Sequence, residues 1–192
     1  MKELLYQALE TERAGVAVYE AAIECATSDA LRIEWEKFRD QTREHESILR
    51  DLLLAMDCDP ERRTPGRDVV GGIGRALVDA IRTAQAQHAP ETAELVAAEC
   101  VVHAETTDHL NWELIGRIAG DLGGDVGDEL RAAHEEVDAQ EDRHLERAVG
   151  WCRELWIDAL GLRAVLPPPE ETEDVRSALA AARVKQAREG TI

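Results

Sequence analysis

Apolar residues recur along this chain at steps of three and four, the spacing that stacks side chains on one face of an α-helix. A first run, from roughly Lys2 to Ala26, carries Leu5, Ala8, Leu9, Val16, Tyr19, Ala22 and Ile23 in its apolar row, and Glu12 falls within that row. Ser28 and Asp29 supply N-cap chemistry for a second helix, whose row reads Leu31, Trp35, Phe38, Thr42, His45, Leu49, Leu52 and Met56. From 57 to 90 the pattern breaks at Asp-Pro, Thr-Pro-Gly and Gly-Gly, which mark loops. Val69, Val70, Ile73, Leu77, Ala80 and Ile81 predict a shorter helix inside this crossover. Pro90, at a first-turn position, opens a third long helix reaching about Ala119. A glycine-rich acidic turn covers 120–127, and the last long helix runs to about Leu160. Pro167, Pro168 and Pro169 end the body, leaving 167–192 as a charged tail, helical or disordered. The pattern predicts an all-α chain: residues 1–166 as a four-helix bundle of two hairpins with a long helical crossover, then the tail.

Polar residues intrude on these rows where an amphipathic helix should be apolar. In the last helix Leu130, Ala133, Val137, Glu141, His144, Ala148, Trp151 and Leu155 share one face, so a Glu-x-x-His pair points at the core. Glu12 and His45 do the same in the first hairpin. A weak internal repeat connects them: residues 11–26 lie on 104–119 without a gap, and 38–47 on 137–146. The overlay pairs Glu12 with Glu105, Tyr19 with Trp112, Gln41 with Gln140, Thr42 with Glu141 and His45 with His144. In antiparallel hairpins, at about 1.5 Å per residue, these groups come to one level. Burying carboxylates without partners is costly, and no Arg or Lys stands in the inner rows to answer them. Carboxylate and neutral imidazole together suit iron, manganese or zinc. Glu12, His45, Glu105, Glu141 and His144 are therefore candidate metal ligands. A buried polar network is the bland alternative.

Composition narrows the classes. The chain has 192 residues, 44% hydrophobic and 32% charged, with a formal net charge of −18. Such charge opposes phosphate backbones and anionic lipid, so no nucleic-acid or membrane partner is expected. No apolar run approaches the ~20 residues that span a bilayer, which predicts a cytoplasmic protein. Cys25, Cys58, Cys100 and Cys152 are scattered, with no Cys-x-x-Cys, and read as small buried hydrophobes. Tyr19, Trp35, Trp112 and Trp151 read as packing, with Tyr19 near enough to Glu12 to shape the site. His134 reads as a core histidine, and Glu99 and His103 as an outer stripe.

At these residues the chain resembles the ferritin-like superfamily, and within it the rubrerythrin-type di-iron carboxylate proteins. The resemblance rests on the spacing of Glu12, Gly15 and Tyr19, on Glu141 with His144, and on one Glu from each of two helices with Glu-x-x-His on the others. It covers about Leu4 to Leu155. It implies a core holding one or two ions of iron, with manganese or zinc as alternatives, in a homodimer or larger homo-oligomer. The implied chemistry is a peroxidase- or ferroxidase-type oxidoreductase acting on oxygen, peroxide or ferrous iron. The chain departs from the pattern at Thr42, where the family carries the first Glu of Glu-x-x-His. A dinuclear centre, a single-metal site and a site without metal all stay open. Asp108 and His109, one turn beyond Glu105, are candidates for the missing ligand, with His109 favoured because the row Ala98, Val102, Glu105, His109, Trp112 contains it. The alternative function is a non-enzymatic scaffold or partner-binding protein of the same fold with a degraded metal site.

Overall fold

A computed structural model describes residues 1–162, and within them the chain is all-helical. The tail expected at 167–192 lies outside the described residues. The helices are α1 (Lys2–Cys25), α2 (Asp29–Ala55), α3 (Pro65–Gln87), α4 (Pro90–Asp121) and α5 (Gly124–Ala159). Their starts follow local chemistry. The Ser28 hydroxyl accepts from the Leu31 N–H and the Thr64 hydroxyl from the Arg67 N–H, while Pro65 and Pro90 occupy first turns.

Side-chain pairs fix the directions. Arg13 meets Glu46 at 2.8 Å and Arg43 meets Glu20 at 2.7 Å, which sets α1 and α2 antiparallel. Arg147 on α5 meets Glu34 on α2 at 2.7 Å, and the Trp151 indole also donates to Glu34. Trp156 on α5 donates to Glu99 on α4 at 3.0 Å. With α3 set aside, α1, α2, α5 and α4 close a ring in which every neighbour is antiparallel, and α3 carries the chain back along the outside of α1 and α4. No helix among the described residues is long and apolar enough to cross a membrane.

The crossover differs from expectation in extent. Its helix runs from Pro65 to Gln87, longer than the segment marked by Val69 to Ile81. The Gly-Gly pair read as a break lies inside this helix, and Gly71 and Gly74 lie in close contact with α1. A Cβ on Gly74 would lie 2.4 Å from the Ala14 Cβ, so the close approach of α3 to α1 requires glycine there. Likewise the turn expected over 120–127 is shorter: α4 continues to Asp121 and α5 begins at Gly124, whose φ of 76° only glycine adopts without strain.

Two apolar clusters fill the bundle. One, at the end holding the α1–α2 turn, gathers Val18, Ala22, Leu31, Trp35, Phe38, Ile81, Ala97 and Trp151. The other, at the opposite end, gathers Leu5, Leu9, Leu49, Leu53, Trp112, Ile115, Leu130 and Val137. Between them lies a buried layer of polar side chains.

Candidate metal centre

The layer is assembled by helical spacing alone. α1 contributes Glu12, α2 His45, α4 Glu105 and Asp108, and α5 Glu141 and His144, all of them buried. Glu141 stands between the two histidines: its Oε1 is 3.0 Å from His45 Nδ1 and 3.5 Å from His144 Nδ1. Glu12 Oε1 lies 3.8 Å from His45 Nδ1, and Glu105 Oε2 lies 3.6 Å from His144 Nδ1. The imidazole centroids are 5.7 Å apart, with the rings inclined at 27°. Ligand atoms of Glu12, His45 and Glu141 can all lie within 4.8 Å of one another, as can those of Glu105, Glu141 and His144. The two triads share Glu141.

Supporting bonds run crosswise between the repeats. Tyr19 on α1 donates its hydroxyl to Glu105 Oε1 on α4 at 2.7 Å, and Trp112 on α4 donates its indole N–H to Glu12 Oε1 on α1 at 2.7 Å. Gln41 and Gln140 meet each other at 2.6 Å; Gln140 Oε1 lies 3.3 Å from His45 Nε2 and Gln41 Oε1 lies 3.1 Å from His144 Nε2. Residues paired by the sequence repeat thus face each other in space.

Each anchored carboxylate keeps one oxygen without a donor: Glu12 Oε2 and Glu105 Oε2. Neither oxygen of Glu141, nor Asp108 Oδ1, nor either histidine Nδ1, has a hydrogen-bond partner. Two buried charges outside the layer, Glu94 and Arg67, are answered by donors and acceptors. Glu94 accepts from the Thr27 N–H at 2.7 Å and the Thr27 hydroxyl at 2.8 Å, and the Arg67 guanidinium donates to Glu10 at 2.8 Å and to the Arg62 carbonyl at 3.1 Å. The central layer stands apart, with lone pairs aimed at lone pairs.

Burial therefore favours the neutral forms. It pushes Glu12, Asp108 and Glu141 well above the usual carboxylate range, reinforced by neighbouring carboxylates: Asp108 and Glu141 beside Glu12, Glu141 beside Asp108, and Glu105 and Asp142 beside Glu141. Glu105 is pushed up to about 8 by burial and by the Asp108 charge, against the opposing Tyr19 hydrogen bond. Burial lowers His45 to about 4 and His144 well below the ordinary imidazole value, with the His45 charge adding to the latter. Without a cation the layer holds its carboxyl protons.

Comparison with family models, curated proteins and solved structures finds no match. The residues must speak through their geometry.

Of the sequence-predicted ligands, Glu12, His45, Glu105, Glu141 and His144 converge, whereas His109 does not join them. Its side chain is 30% exposed, with Nδ1 3.8 Å from Asp142 Oδ1 on α5. The inward row of α4 is Val101, Glu105, Asp108, Trp112, Ile115 and Ala119, alternating steps of four and three, and that alternation selects Asp108. The row drawn through Val102 and His109 lies one residue off. Thr42 is buried but turned to its own helix, donating to the Phe38 carbonyl at 2.9 Å. His134 is half-buried, with Nε2 3.4 Å from Asp138. Sequence reasoning treated Trp112 as packing, although its place seven residues after Glu105 mirrors Tyr19 after Glu12. That symmetry was the available signal for its hydrogen bond. Cys25, Cys58 and Cys100 are buried and Cys152 half-buried, all four as free thiols.

Proposed function

We propose that this polar layer holds two divalent metal ions, preferably iron, in a ferritin-like bundle acting on oxygen, peroxide or ferrous iron. The observation that carries the reading is the pair of triads sharing Glu141, whose two oxygens both lack donors. Glu12 and His45 hold one ion, Glu105 and His144 the other, and Glu141 serves both. Asp108, buried in the same layer, brings the carboxylates to four. That number neutralises two divalent cations, so Asp108 restores the charge that a glutamate at Thr42 would have supplied. The donor set of imidazole and carboxylate fits iron and manganese, and zinc by charge.

When bound, such ions supply redox or Lewis-acid chemistry. The chain's own part is to fix the ligands. Trp112 and Tyr19 hold Glu12 and Glu105 each by one oxygen and leave the other free, and the apolar clusters on both sides exclude bulk water. Elemental analysis of protein purified without chelator, then reloaded with ferrous iron and gel-filtered, tests the reading. We expect close to two ions per chain, falling to one or fewer in Glu141→Ala. Wild-type protein that retains no iron, manganese or zinc would sink the proposal and favour the scaffold alternative, which Thr42 supports.

A further inference from the structure

The glutamine pair across α2 and α5 has no part in the ligand set, yet it touches both histidines. Its hydrogen bonds can be read in one direction only from their end point. The Gln140 side-chain N–H donates to the Glu136 backbone carbonyl at 3.5 Å, an atom that can only accept. Gln140 Oε1 therefore faces the other way, where it accepts from Gln41 Nε2 at 2.6 Å and meets His45 Nε2 at 3.3 Å. Facing an acceptor, His45 Nε2 must carry the proton. Because Gln41 spends its N–H on Gln140, its own Oε1 faces His144 Nε2 at 3.1 Å, so that nitrogen must carry the proton too. In both neutral rings the bare nitrogen is then Nδ1, the atom aimed at Glu12, Glu105 and Glu141.

We propose that Gln41 and Gln140 form a relay of positioning residues that holds both imidazoles in the Nε2–H tautomer and presents both Nδ1 lone pairs to one centre. The inference rests on the metal reading for its purpose, but not for its hydrogen bonds. Left alone in the metal-free protein, each ring would gain by turning its proton to Nδ1 and donating to a carboxylate; for His45 the acceptor stands 3.0 Å away. The relay opposes that rearrangement. It is also unequal: Gln140 serves His45 directly and His144 through Gln41, whereas Gln41 serves His144 alone.

This inequality makes the test sharp. Long-range proton–nitrogen correlation spectra of metal-free, nitrogen-15-labelled protein report the tautomer of each histidine. Wild type should show Nε2–H at both His45 and His144. Gln41→Met should convert His144 to Nδ1–H and leave His45 unchanged, whereas Gln140→Met should convert both. Gln140→Glu, which keeps an acceptor at that place, should restore the wild-type pattern, a rescue that a merely structural role would not give. Helix content by circular dichroism confirms folding in each case. Cobalt(II) should bind the two methionine variants at least ~10-fold more weakly than wild type. Nδ1–H or imidazolium in wild type, or the same rings changing in both methionine variants, would overturn the relay. Wild-type tautomers as stated in a protein that binds no cobalt would leave the relay standing and sink the metal reading instead; cobalt binding with tautomers indifferent to the glutamines would do the reverse.

Discussion

Thr42 is the residue at which the two halves of the centre part company. Opposite it in the repeat stands Glu141, with two oxygens free of donors, whereas Thr42 bonds back to Phe38 and leaves α2 without a carboxylate in the layer. A Cβ built on Gly15 would sit 3.3 Å from the Thr42 methyl, so α1 presents its smallest residue here. Replacing Thr42 with glutamate adds a fifth buried carboxyl to a layer that already lacks donors. Metal-free Thr42→Glu should therefore be less stable than wild type by on the order of 2–4 kcal/mol and melt at a lower temperature. Added manganese or ferrous iron should recover more of that loss than it adds to wild type, measured by thermal denaturation with and without metal. Equal metal-induced shifts in both proteins would show that residue 42 does not face the ions. At this scale the sequence was partly legible. Periodicity placed five of the converging residues, but it could not choose between Asp108 and His109, because one residue on a helix is a rotation of about 100° and Val101 and Val102 are equally apolar starting points for the row.

Among the elements, α3 was the least legible. Glycine within a helical pattern lowers intrinsic helix stability by ~1 kcal/mol relative to alanine, so the Gly71-Gly72 pair reads locally as a break. What decides the matter is the neighbour: glycine lets α3 lie against α1 at Ala14, and no local pattern announces a contact with a residue sixty positions earlier. The same contact gives an element-scale prediction. Gly74→Ala should destabilise the protein by roughly 1–3 kcal/mol through overpacking, despite alanine's better helix propensity. Ala14→Gly in the same chain should recover much of it. Chemical denaturation of the two single variants and the double variant measures the coupling, and additive losses would refute a direct clash. The long helices α1, α2, α4 and α5, by contrast, were legible to within a few residues because each carries a long, mostly apolar row, and α2 and α4 add a capping serine and a first-turn proline.

For the molecule as a whole, the unmatched protons of the central layer set how stability responds to pH. In the metal-free protein Glu105 keeps its proton up to about pH 8, whereas an unfolded glutamate releases it near its ordinary value of 4.5. Between those values the folded state binds more protons than the unfolded one, so stability falls as pH rises. His45 acts oppositely: neutral in the fold down to about pH 4, it takes up a proton on unfolding below 6.5, so stability also falls as pH drops through that window. Above pH 6.5 the carboxyl effect stands alone. From pH 6.5 to 8 the chelated protein should lose on the order of 2 kcal/mol through Glu105, and saturating divalent metal should abolish or reverse the trend. Melting temperatures at the two pH values, with chelator and with manganese, provide the check; a metal-free protein that grows more stable toward pH 8 would contradict the protonated layer. The pairing of hairpins was legible at this scale through the short repeat, while its crossing pattern was not, because the repeat aligns residues without saying which repeat's donor serves which acceptor.

The position of that layer between two apolar clusters has a mechanical consequence. Each end of the bundle is packed with aliphatic and aromatic side chains, whereas the middle is held by hydrogen bonds from Tyr19, Trp112 and the glutamines. Of the neighbouring helices in the ring, α2 and α5 touch least, and at mid-length it is the two glutamines that bridge them. The seam between α2 and α5 is accordingly the side of the bundle with the least packing to hold it, and at the level of the polar layer amides and an imidazole close it.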